Sequence, residues 1–297
     1  MRKPLKVQFH NEPAIDEGGV KKEYFQLVFK ELFNADYGMF MYNPDTRLYW
    51  FNYQTYESNI NFELIGTLLA LAPWHQVILD IPIHPMCYKL LLGQHPSIED
   101  LELWQPEIAK SFQYILDYKD EAPLEDILAR TFTIDYEVFG EKTTIELVEG
   151  GKEKYVTKEN REEFINLYVQ HLFEKLCEQQ LGAFRRGFFK IFDENLLKIL
   201  YSPEELEQYV CGSKVLDFKQ LMRVSKYIQP LHPNHEFVKW FWEIVNDEFD
   251  DDQRKKLLAF TTGSARVPIT GLEDIDFIIG IEGDDEDKLP IAHTCFN

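Results

Sequence analysis

The chain has 297 residues, is 45% hydrophobic and 28% charged, and carries a formal net charge of −20. That length suits about two domains of roughly 100–200 residues each, and the acidic balance argues against a nucleic acid partner, whose phosphates attract Lys and Arg. No apolar run of about 18 residues predicts a membrane span, and MRKPLKVQFHNEP lacks the apolar centre of a secretory signal.

Four cysteines (Cys87, Cys177, Cys211, Cys295) without a CxxC pair, and eight histidines without HExxH, predict reduced thiols. They also predict no metal site and no cofactor. A reducing compartment, the cytoplasm or the nucleus, is the expected location.

The first predicted helix spans 20–33, where Val20, Tyr24, Leu27, Val28, Glu31 and Leu32 fall near helical spacing. MFMY (39–42) and LYWF (48–51) flank Asn-Pro-Asp-Thr, which is turn chemistry and predicts a β-hairpin. Residues 62–79 are apolar almost throughout and read as a buried helix, kinked or ended by Pro73. Pro106 opens a helix to about Tyr118, with Ile108, Phe112 and Ile115 along one face. An acidic connector, DYKDEAPLED, follows.

TFTIDYEVFGEKTTIELV predicts a short sheet broken at Gly140, and residues 158–182 a long amphipathic helix. Ser-Pro-Glu-Glu at 202–205 starts another helix with acids in its first turn. Cys211-Gly212-Ser213 reads as a linker, after which LDFKQL begins a new helix. Helices are predicted over 236–249 and 250–263, the latter capped by Gly263. IDFIIGI (275–281) is the clearest strand, and EGDDEDK (282–288) is a charged loop.

The chain closes on LPIAHTCFN, 289–297. In an extended segment His293 and Cys295, two residues apart, share a face. Cys295 is then either a small buried hydrophobe or a thiolate nucleophile, and spacing leaves both readings open. A papain-type hydrolase is disfavoured, because no CGSCW-like segment occurs.

The ordered set DEGGVKKEYFQLV, YGMFMYNPDTRLYWFN, ENREEFINLY, AFRRGF, LDF, FWEIV, FTTGSARVP and LPIAHTCFN resembles a HECT domain. HECT domains are the catalytic modules of HECT-type E3 ubiquitin ligases. The resemblance covers essentially all of the chain. It is strongest to the E6-associated protein group, with the HERC group next.

The resemblance implies an α+β, bilobal fold. Residues 1–212 form a mostly helical N-lobe, with a small E2-binding subdomain at about 100–182. Residues 213–215 are the hinge, and 216–297 an α/β C-lobe. It implies as partners a ubiquitin-charged E2 enzyme, ubiquitin and a protein substrate, with no nucleic acid or membrane.

It also implies that Cys295 takes ubiquitin as a thioester and passes it to a substrate lysine. His293 and Thr294 match the flanking positions, where they orient the thiolate or support the loop. Ile108, Phe112, Ile115, Tyr118, Leu128 and Phe164 match an E2-binding groove, expected as an exposed cluster around Phe164. The plain alternative is a buried core stripe, which helical spacing usually means.

One departure stands out. The family continues past CFN, so this C-lobe is expected to be C-terminally truncated. That keeps a second reading open, a non-catalytic E2- or ubiquitin-binding module. Substrate choice in the family usually lies upstream of the domain, so the sequence names no substrate.

Overall fold

The computed structural model describes residues 5–10, 19–138, 140–213, 216–267, 271–272, 275–283 and 289–292. The chain divides into two compact units, one of residues 32–68 and 82–204, the other of 1–31, 69–81 and 205–297.

The first unit begins with a β-hairpin, β1 (Phe40–Asn43) and β2 (Leu48–Phe51), in antiparallel register with Phe40 opposite Phe51. The turn closes because the Asn43 side chain accepts from the Asp45 and Thr46 amides. Pro82 and Ile83 run beside β2, where the Tyr49 amide donates to the Pro82 carbonyl at 2.8 Å.

Helices α1 (Gly19–Leu32) and α2 (Asn59–Trp74) precede and follow the hairpin in the chain. The division between units falls inside α2. The helix predicted over 62–79 thus starts three residues earlier and ends at Trp74. Pro73 sits in its last turn, and Gln76 at φ 60° turns the chain out of the helix.

α3 (Met86–Leu91) and α4 (Ile98–Trp104) come next. α4 opens on a capping box: Ser97 and Asp100 satisfy each other's free amides. α5 (Pro106–Asp117) follows with Pro at its first position. The acidic connector is not irregular throughout, because α6 (Leu124–Leu128) forms within and just beyond it around buried Leu124. β3 (Thr133–Val138) and β4 (Glu141–Glu146) form the expected antiparallel hairpin.

The long helix predicted over 158–182 is two helices, α7 (Arg161–Gln170) and α8 (Glu178–Phe188), joined through a π turn at His171–Lys175. Asn160 delays the start, because its side chain accepts from the Thr157 amide and donates to the Tyr155 carbonyl. Within this unit α2 and α8 approach so closely that a Cβ on Gly66 would overlap the Phe184 carbonyl, and one on Gly187 the Glu63 carbonyl. α9 (Glu194–Leu200) completes the unit.

The division between units falls again within α10 (Pro203–Cys211), which leads in the second unit to Gly212 and Ser213. Ser213 and Val267 pair as an antiparallel bridge. Gly212 has φ 70°, and a Cβ there would meet the Val267 carbonyl, so this point of the linker tolerates only glycine.

Beyond the linker come α11 (Phe218–Val224), β5 (Lys226–Tyr227), α12 (Glu236–Glu243) and α13 (Asp251–Thr262). A π turn at Ile244–Glu248 follows α12. Asp250 caps α13 at its start and Gly263, at φ 76°, at its end. The strand expected over 275–281 pairs only at β6 (Ile278–Ile279), parallel to β5. A continuous core of Phe218, Leu221, Leu231, Val238, Trp242, Val245, Leu258, Val267, Leu272, Ile275 and Phe277 lies entirely beyond the linker.

Candidate functional site

α5 and α7 set the geometry of the candidate E2-facing site. Periodicity turns Ala109, Phe112 and Ile115 of α5 inward. Phe112 meets α7 with ring centroids 5.8 Å from Phe164 and 4.9 Å from Tyr168. Phe132, just ahead of β3, adds an edge contact to Phe164 at 5.4 Å. The last turn of α5 is held by Arg161, whose Nη1 donates to the Ile115 and Tyr118 carbonyls at 3.0 and 2.8 Å.

The exposed cluster expected around Phe164 is corrected here. Phe164 is 0% exposed, and Phe112, Ile115 and Tyr118 are also buried. The cause is mutual cover: three rings and the facing helix close over Phe164 and exclude water. Ile108 and Leu128 are half-buried. On the outside stand Leu103, Tyr114 and Ile127, which matching the motif did not single out. They fall on outward positions of α4, α5 and α6, so the signal was present in the helical phase.

Sequence reasoning also missed the cations on this aromatic layer. The Arg130 guanidinium lies 5.3 Å from the Phe164 ring centroid, 5.5 Å from Tyr168 and 5.9 Å from Phe112. Lys154 lies 3.9 Å from the Phe132 ring and Lys158 5.3 Å from Tyr118. Burial pushes the Tyr168 phenol up, and Arg130 opposes that shift. Cation–aromatic proximity depends on the fold and has no fixed spacing in the chain.

Cys295, His293 and Thr294 lie outside the described residues, as do hinge residues 214–215. The other three thiols, Cys87, Cys177 and Cys211, are buried and form no disulfide among the described residues. Burial pushes the Cys177 thiol up to about 12, which leaves it unreactive at neutral pH. Among the described residues no three His, Cys, Asp or Glu side chains could hold a metal ion. No described helix is long and apolar enough to cross a membrane.

The mixture of many helices and small sheets is consistent with an α+β HECT fold. The profile of the HECT-domain (ubiquitin-transferase) family matches residues 26–297, and the chain belongs to that family. Over 296 residues, all of this chain, it is 39% identical to the probable E3 ubiquitin-protein ligase HERC4 of Homo sapiens, of which it covers 28%. It is 37% identical over its whole length to the probable E3 ubiquitin-protein ligase HERC3 of Homo sapiens, again covering 28%. It is 37% identical to the probable E3 ubiquitin-protein ligase HECTD2 of Homo sapiens, covering 39% of it. The chain thus spans well under half the length of these relatives, and the HERC names agree with the second group given by the motifs.

Proposed function

We propose that this chain is the catalytic module of a HECT-type E3 ubiquitin ligase, with Cys295 as the ubiquitin acceptor. The observation that carries the reading is the family match, which runs through LPIAHTCFN and so includes Cys295. The burial of the other three thiols supports it, since a nucleophilic thiolate needs access.

In the first step the Cys295 thiolate attacks the thioester carbonyl between ubiquitin and the E2 cysteine. A carbon–sulfur bond forms to Cys295, and the E2 thiolate leaves. One thioester replaces another, so positioning rather than driving force is the requirement. In the second step a substrate lysine amine attacks that carbonyl and loses a proton. An isopeptide bond forms and the Cys295 thiolate departs. His293 and Thr294 flank the sulfur and are assigned to orienting it.

The lobes follow the same reading: an N-lobe over 1–212, a hinge at 213–215 and a C-lobe over 216–297. The core confined to residues 218–277 supports an independent C-lobe. The E2 enzyme docks on the 100–182 subdomain. Half-buried Ile108 and Leu128, with exposed Ile127, form its apolar contact surface, and Phe112, Ile115, Tyr118 and Phe164 are the rigid floor beneath. Buried thiols without a disulfide fit a reducing compartment, and we assign the cytoplasm or nucleus.

Thioester capture tests the reading. The chain is mixed with ubiquitin-charged E2 and run on a non-reducing gel beside Cys295→Ala. The expected result is a ubiquitin adduct lost both with reductant and in the variant. An adduct that persists in Cys295→Ala would sink the assignment.

A further inference from the structure

Arg130 is the cation most embedded in the aromatic layer. Its guanidinium covers Phe112, Phe164 and Tyr168 together. It lies in the four-residue connection between α6 and β3, directly after Ala129, which is in the left-handed conformation at φ 45°. Arg130 is half-buried, with its charge held over ring faces. It donates one hydrogen bond to the Tyr168 hydroxyl, and its remaining N–H groups have no ion-pair partner among the described residues. The nearby acids are engaged elsewhere: Asp135 accepts from the Thr144 hydroxyl at 2.6 Å, and Glu163 pairs with Lys154 at 2.8 Å. Lys154 lies over Phe132 and Lys158 over Tyr118 on the same layer. In a chain of net charge −20, this is a local concentration of cations over an apolar floor.

A guanidinium stacked on aromatic faces keeps its in-plane N–H donors directed at its edge. An edge of that kind recognises a planar acceptor, and a carboxylate best of all. Partial desolvation strengthens such a contact relative to an exposed pair.

We propose that Arg130 is a specificity-determining residue of the E2 site, selecting an E2 enzyme that sets a carboxylate beside the apolar side chain it docks. The inference rests on the E2 docking proposed above. Lys158 adds to the attraction, and Arg130 supplies the directional contact.

The test uses the E2 that charges Cys295 fastest, with its surface Asp and Glu changed singly to Asn and Gln. Affinity for the full chain is measured by fluorescence anisotropy for the unmodified protein, Arg130→Met and Arg130→Lys. One E2 carboxylate substitution should weaken binding about 10-fold with the unmodified chain and less than about 2-fold with Arg130→Met. Arg130→Lys should fall between, keeping the charge but not the planar fork.

If no E2 carboxylate substitution changes binding to the unmodified chain, the inference is overturned whether or not the Arg130 variants fold. Additive losses with Arg130→Met would overturn it too. Ile127→Asp separates the two failures. If that variant binds the E2 unchanged, the partner docks elsewhere and the underlying reading falls with the inference. If it loses binding while no carboxylate couples to Arg130, the docking stands and only the role of Arg130 is lost.

Discussion

Two aromatic stripes invite comparison: Phe112 of α5 with Phe164 and Tyr168 of α7, and Phe237 with Trp240 on α12. Both arise from residues at helical spacing. The first lies wholly inside its unit, with Phe164 touched by three other rings. The second lies outside, with Phe237 56% and Trp240 49% exposed and their ring centroids 5.7 Å apart. The difference comes from cover.

α5 has a polar outer face and one apolar stripe, and α7 and the segment at Phe132 close over that stripe. α12, in EFVKWFWE, is apolar on more than one face. Its Val238 and Trp242 face the core, where the Trp242 indole N–H donates to the Tyr227 hydroxyl at 2.9 Å. Phe237 and Trp240 then have no side of the unit left to enter. Helical phase says which residues share a face, but whether another element lies over that face is a tertiary property.

The sharpest way to break the comparison is Phe164→Ala. It removes a fully buried ring and should cost about 3–5 kcal/mol, read by urea unfolding of the unit that contains β3 and β4. An unchanged midpoint would mean that Phe164 is a surface anchor after all.

A smaller effect is expected from acid. His84 is buried among Trp50, Trp104 and Phe173. Its Nδ1 accepts from the Met86 amide at 3.0 Å. Its other ring nitrogen, 3.1 Å from the Asp100 carbonyl, must therefore donate. The ring is thus held neutral as one tautomer. Burial pushes it down to about 4 from 6.5, partly opposed by Asp100. The folded state resists protonation that the unfolded state accepts. Stability is therefore full above pH 6.5 and falls as pH drops toward 4, by about 3 kcal/mol from this group. Urea midpoints at pH 7 and pH 5 should diverge in the native protein and less so in His84→Gln. Equal pH dependence in both would remove His84 from the account.

The smallest effect is Trp240→Ala, expected at about 1 kcal/mol or less because the ring is half in water and its main contact is Phe237. A loss comparable to that of Phe164→Ala would show that α12 has a covered outer face, and the contrast would fail.

The sequence alone determined the element types wherever local chemistry is decisive. The turn at Asn43, proline opening α5, the Gly263 cap of α13 and the break at Gly212 were all legible, as was membership of the HECT-domain family from motifs in order. Cys295 stood out through the family resemblance alone, since its spacing from His293 left both a buried hydrophobe and a nucleophile open.

Only the tertiary structure decided the rest. It interrupted the helix expected over 158–182 and reduced the strand at 275–281 to a two-residue pairing. It buried Phe164 instead of exposing it, and it set Arg130 over three rings drawn from two helices. Each outcome depends on which distant segment comes to lie against a given face. That is settled by water exclusion and packing over the whole unit, and the spacing of residues along the chain does not encode it.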